Sequence, residues 1–236
     1  MLTESITEYL TLQVYKQAFG SEAALNFLRL QHQRYWHGHN RETSLEPPLY
    51  LVDDTRTYIS YGKGTVVLNG LGQLLGEDTL NGLLADFLHQ HANGHPPYPT
   101  STLFLQHLYE QLPDSIQGFV RQQFETVSYL TAENLKASFN SNPQKETITL
   151  SGNVNRRELR HLDASAAPET HTIDEWIEVA LYDEDDEKMA THWLHLTDAS
   201  FEVQIKTRKK PNHIVLDPHY LLLIKQREKT RTTVMD

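Results

Sequence analysis

The side chains in this sequence that can do chemistry are carboxylates, phenols and imidazoles. There is no cysteine, which excludes disulfides, thiolate metal sites and cysteine nucleophiles. The most informative cluster is Tyr58-Ile59-Ser60-Tyr61-Gly62-Lys63-Gly64, which runs directly into an apolar stretch. Standing alone, Tyr61 reads as a core tyrosine with a satisfied hydroxyl, and Lys63 and Gly64 as residues that shape the turn into a helix. Gly62-x-Gly64 lacks the further residues of either phosphate-binding glycine motif. Near the start, Glu4 follows Thr3 at the head of a helical pattern, where a carboxylate opposing the helix dipole gains about 0.3–1 kcal/mol. Glu8 lies one turn further on.

The 13 histidines raise a metal hypothesis of their own. His37-Gly38-His39 is a pair around a glycine. His91 and His95 have the i, i+4 spacing of a helical metal pair, but Asn93-Gly94-His95-Pro96 breaks that helix. His192 and His195 flank Trp193 in a strand-like stretch and point to opposite faces. The acidic run Asp183-Glu184-Asp185-Asp186-Glu187 lacks the ligand spacing of a calcium loop and reads as a charged hairpin tip. No nucleophile triad is evident.

Helices are expected to position Glu4 and Tyr61. Leu2, Ile6, Tyr9 and Leu10 mark one face of a first helix, with Thr3 as its cap and Gly20 as its end. Ser21 caps a second, with Ala24, Leu25, Phe27 and Leu28 inward, that reaches about His37. A loop with Pro47 and Pro48 precedes a third, which begins near Tyr61 and buries Val67, Leu68, Leu71, Leu74 and Leu75 before Gly76. A fourth carries Leu80, Leu83, Leu84, Phe87 and Leu88, and frays at Asn93-Gly94. Pro96-Pro97-Tyr98-Pro99 is a stiff connector. Thr100 or Ser101 caps a fifth helix, and Pro113-Asp114 opens a sixth that ends near Phe124.

Beyond residue 125 the period drops to two. Ile148 and Leu150 alternate with threonines, Ile173, Ile177, Val179 and Leu181 surround Trp176, and Phe201, Val203 and Ile205 alternate with Glu202, Gln204 and Lys206. About seven strands in this stretch fit an antiparallel β-sandwich. The expected fold is therefore an α+β multidomain chain, with an all-α helical lobe over residues 1–125 followed by an antiparallel β-sandwich over 126–236.

Composition is that of an ordinary globular chain: 236 residues, 39% hydrophobic and 22% charged, with a formal net charge of −10. Residues 1–125 hold 7 basic and 13 acidic side chains, and residues 126–236 hold 14 and 18. Neither half has the basic excess that attracts nucleic acid, and Arg208-Lys209-Lys210 reads as a solvated loop. No apolar run approaches the roughly 18–20 residues that span a bilayer. Glu4 and Glu8 sit where a signal peptide carries basic residues. The chain is expected to be soluble by itself, without membrane contact of its own.

Four blocks together resemble the gluzincin aminopeptidases, the family of alanyl aminopeptidase (aminopeptidase N), and within it a bacterial branch that follows a permease-like membrane region. They are Leu2-Thr3-Glu4-Ser5-Ile6-Thr7-Glu8-Tyr9; Tyr58 to Gly64; Leu75-Gly76-Glu77-Asp78 with Pro96-Pro97-Tyr98-Pro99-Thr100-Ser101; and Asp174-Glu175-Trp176-Ile177-Glu178-Val179 with Leu216-Asp217-Pro218. The resemblance implies that residues 1–125 are the C-terminal part of a thermolysin-like catalytic domain. It implies that Glu4 is the third zinc ligand and that Tyr61 is the catalytic tyrosine, whose neutral hydroxyl donates to the oxyanion. A catalytic zinc takes three protein ligands and a water, and the family's other ligands and its general base lie on a His-Glu-x-x-His helix. No His-Glu dipeptide occurs here. The expectation is a C-terminal fragment of a zinc metallo-aminopeptidase, inactive alone and binding no cofactor tightly by itself. Its parent would hold zinc, act on peptide substrates and be attached to a bacterial inner membrane. Leu223-Ile224-Lys225-Gln226 stands where the family usually has an acidic-basic pair, which touches neither Glu4 nor Tyr61. The alternatives are a non-catalytic protein-interaction module and an enzyme whose metal is held by the loop histidines.

Overall fold

A computed structural model describes residues 1–92, 94–142, 145–159 and 169–236. Helices occupy the first part and strands the second, so the mixed helix-and-strand reading holds in kind and in chain order. The chain divides into two compact units. One is built on Met1–Ser128 with Tyr220–Leu223, and the other on Tyr129–Glu158, Pro168–His219 and Ile224–Asp236.

In the first unit, α1 (Leu2–Phe19), α2 (Ser21–His39), α3 (Gly64–Leu75), α4 (Glu77–His91), α5 (Ser101–Gln111) and α6 (Asp114–Glu125) surround an apolar core. That core gathers Ile6, Tyr9, Ile59, Leu68, Leu71, Leu80, Phe104 and Phe124. Glycine ends both α1 and α3: Gly20 and Gly76 have φ of 86° and 88°, a backbone region that side-chain-bearing residues rarely enter. Thr100 caps α5 by accepting from the Leu103 N–H at 3.3 Å. Thr3 is not a cap, because α1 already starts at Leu2 with Met1 ahead of it. Leu10 also departs from expectation: the inward stripe runs through Ser5, Ile6, Tyr9 and Leu12, and Leu10 is exposed. The chain does not enter α3 directly at Tyr61. A π-helical turn, Tyr58–Lys63, precedes it. The expected fraying of α4 at Asn93 lies outside the described residues.

In the second unit, β1 (Val127–Asn142), β2 (Lys145–Leu159), β3 (Glu169–His171), β4 (Glu175–Tyr182), β5 (Lys188–Leu196), β6 (Ser200–Lys206), β7 (His213–Leu216), β8 (Ile224–Lys225) and β9 (Arg231–Met235) join in one curled sheet. Its main order is β3-β2-β1-β9-β7-β4-β5, with β6 on β2 and β8 on β1. The alternating apolar residues pair across strands: Ile148 faces Ile205 and Leu150 faces Val203. Two pairings are parallel, β1 with β8 and β1 with β9. Asn134, at φ 54°, lies in β1 between the two pairings. The strands thus share a single hydrogen-bonded sheet with parallel as well as antiparallel pairs. Strand β4 is buried at every residue from Ile177 to Leu181, and its two edges pair with β7 and β5. The acidic run at 183–187 is the β4–β5 hairpin tip, where Asp183 accepts from the N–H groups of Asp185 and Glu187.

Candidate active site

Glu4 and Tyr61 come together in the first unit although 57 positions of sequence separate them. Burial of Ile6, Tyr9 and Leu12 fixes the roll of α1, which leaves Glu4 and Glu8, one turn apart, beside the π-helical turn. The Ser5 hydroxyl, buried between them, donates to the Ser60 carbonyl at 2.7 Å. The π turn meets α1 and α2 at backbone distance. A Cβ on Gly64 would lie 2.2 Å from Ser5 Oγ, and one on Gly62 would lie 2.8 Å from both the Gln31 carbonyl oxygen and the Tyr35 nitrogen. The glycines of the Tyr-Gly-Lys-Gly run are therefore explained by packing. A widened turn of this kind is rare, and such turns are frequent at functional sites.

Tyr61 and Glu4 line the same cavity, and Glu4 is the first influence on the Tyr61 phenol. The hydrogen-bonding pull of Glu4, then burial and the charges of Glu4 and Glu8, push the phenol above its usual range against the opposing charge of Arg34. Tyr61 is thus a protonated donor at neutral pH. Glu8 has its carboxyl pushed up, first by burial and further by Glu4, with Arg34 opposing. The Glu8 carboxylate accepts from Gln31 Nε2 at 2.5 Å. The Arg34 guanidinium stands 5.0 Å from the centre of the Tyr61 ring. Beside the pair opens a cavity of about 480 Å³, lined by Glu4, Tyr61, Ser60, Asp53, Thr57 and Thr100 among others.

Two further networks hold the turn. Tyr58 donates to Glu42 Oε2 at 3.1 Å and to Glu46 Oε2 at 3.4 Å, while Tyr35 donates to Glu46 Oε1 at 2.9 Å. Lys63 is wholly buried, and its Nζ donates to the Thr126 carbonyl at 2.9 Å. Burial pulls the Lys63 ammonium down to about 8, with Glu46 opposing.

The histidine pairs singled out in the sequence do not assemble a site among the described residues. His39 Nδ1 is 2.6 Å from Glu46 Oε2, and Gly38 between it and His37 packs where a Cβ would strike the Tyr58 ring at 2.1 Å. His91 rests against Phe87. His192 and His195 face Val179 and Trp176 respectively, on opposite faces of β4–β5, and His195 stacks on Trp176 while meeting Asp174 at 2.6 Å. Among the described residues, no group of three or more His, Asp or Glu side chains is arranged to hold a metal. Of the other blocks read from sequence, Glu175 pairs with Arg156 and Asp217 with Arg227, both at 2.6 Å. Gln31 and Arg34 went unread as site residues. Their i, i+3 spacing was visible, but nothing local showed which face of α2 meets Tyr61.

The sequence matches no protein-family model and no curated protein. Solved structures do match, among them Legionella pneumophila aminopeptidase A in complex with aspartic acid, at a TM-score of 0.54 and 14% identity. The match covers 94% of this chain and 23% of that protein, so the chain spans about a quarter of the length of the aminopeptidase it resembles. At this identity the likeness is one of fold: the chain has a peptidase-like fold. No described helix is long and apolar enough to cross a membrane.

Proposed function

We propose that this chain is the C-terminal part of a zinc aminopeptidase of the alanyl aminopeptidase family. Residues 1–125 would be the helical end of its thermolysin-like catalytic domain and 126–236 the β-sheet domain that follows it. The observation that carries the reading is that the Tyr61 phenol and the Glu4 carboxylate line one polar cavity, in a chain whose fold is similar to that of an aminopeptidase. Glu4 offers the carboxylate that a two-histidine, one-carboxylate zinc site requires. Glu8 is turned to Gln31, so the donors here do not complete that set, and two histidines must come from elsewhere in the protein. Zinc, when bound, supplies an activated water for attack on the peptide carbonyl. Tyr61, kept protonated, would turn its O–H from Glu4 to the oxyanion formed in that attack. The peptide lies in the cavity beside both residues. Similarity to the permease-linked branch supports a parent attached to a bacterial inner membrane.

The test is the coding sequence ahead of Met1. An in-frame His-Glu-x-x-His about twenty residues before Glu4 is the expected result, with zinc-dependent aminopeptidase activity of the encoded protein lost in both Glu4→Gln and Tyr61→Phe. An open frame without the two histidines would overturn the reading and leave a non-catalytic interaction module.

A further inference from the structure

We propose that Arg34 is a positioning residue, whose guanidinium holds the Tyr61 ring so that its phenol faces the cavity shared with Glu4. The inference rests on the reading of Glu4 and Tyr61 as a catalytic pair for its functional meaning, but on geometry for its substance. Arg34 stands over the Tyr61 ring at 5.0 Å, within the reach of a cation–π contact. Its Nη1 donates to Gln31 Oε1 at 3.3 Å. The Gln31 side chain is buried and in turn donates Nε2 to Glu8 at 2.5 Å. The contacts therefore run from Glu8 through Gln31 and Arg34 to Tyr61, which lines the same cavity as Glu4.

These contacts constrain the phenol. The Tyr61 side chain is only half-buried, so packing by itself leaves its ring free to swing about χ1. A planar guanidinium over one face, fixed by a buried amide, removes that freedom. Lysine in the same place keeps the charge but has neither the planar fork nor the same hold on Gln31. Gln31 thereby acts as the tether, and Glu8 as the anchor of the tether.

The experiment is NMR of the full chain with ring-labelled tyrosine, the Tyr61 signal being assigned by its loss in Tyr61→Phe. In Arg34→Ala the Tyr61 ring signal is expected to move to the position of a mobile, exposed tyrosine, while the Tyr35 and Tyr58 signals stay in place. Gln31→Leu, which removes the tether and leaves the charge, is expected to move it in the same direction, and Arg34→Lys to restore part of the displacement. A Tyr61 signal unmoved by both Arg34→Ala and Gln31→Leu would overturn the proposal. This readout does not depend on catalysis. Failure of the catalytic reading would instead show as undiminished turnover in Tyr61→Phe, with the ring still displaced in Arg34→Ala.

Discussion

The Ser5 hydroxyl donates to the Ser60 carbonyl at 2.7 Å, and Gly64 faces the same serine so closely that a Cβ there would lie 2.2 Å from its Oγ. One serine of α1 thus seats the π turn on one side and the start of α3 on the other. Its neighbour Glu4 and Ser60's neighbour Tyr61 are brought together by this seat.

The first prediction concerns that contact. Gly64→Ala should destabilise the chain by about 1–3 kcal/mol, the usual cost of overpacking a filled site. Ser5→Gly removes both the Oγ and the Cβ that clash. Gly64→Ala should therefore cost less in the Ser5→Gly background than alone. Urea midpoints of the four proteins form the cycle; equal costs in both backgrounds would refute the steric account.

Lys63 makes stability depend on alkaline pH. Its ammonium is held down to about 8 by burial, against about 10.4 in the unfolded chain. Between those values the unfolded chain binds the extra proton, so stability rises with pH there. Below about 8 the full penalty of a buried charge applies. Measured between pH 7 and 9.5, the urea midpoint should rise more steeply in the unmodified chain than in Lys63→Met. The comparison is needed because the buried phenols of Tyr9 and Tyr58, both pushed up by burial first, act in the opposite sense near pH 10.

Glu42 gives a slope at the acid end. Burial alone would raise its carboxyl, but the Ser44 hydroxyl and N–H, Arg56 and Tyr58 all hydrogen-bond the carboxylate and outweigh it, leaving the group at about 2. The unfolded value is about 4.3. The stabilisation is complete above the unfolded value and is lost as pH falls toward the folded one. Glu42→Gln should flatten stability between pH 5 and 2.5; an unchanged slope would show that the carboxylate is not so held.

Tyr61→Phe separates catalysis from structure. In the peptidase proposed above, losing the oxyanion donor should lower kcat by about 10²–10³-fold with little change in KM. The stability of the chain should move by no more than about 0.5 kcal/mol, since the phenol is half-exposed. A loss of stability large enough to account for the lost turnover would assign Tyr61 to the scaffold.

Periodicity marked the first four helices and the main strands, because burying an apolar stripe needs a period of 3.6 in one and two in the other, while cap and proline signals marked the fifth and sixth. The stops at Gly20 and Gly76 and the Thr100 cap were equally local. Glu4 and Tyr61 were picked out by resemblance of short blocks, not by any pattern that linked them. What the sequence could not show was the pairing. That β1 meets β8 and β9 in parallel depends on strands some 90 residues away. That Lys63 is buried, that Gly62 and Gly64 face α2 and α1, and that Arg34 reaches the Tyr61 ring follow from how the helices roll and pack. These contacts join residues far apart in sequence, so the chain's local chemistry offers them no signal; only the tertiary structure, which fixes the roll of α1 and α2 about the π turn, decided them.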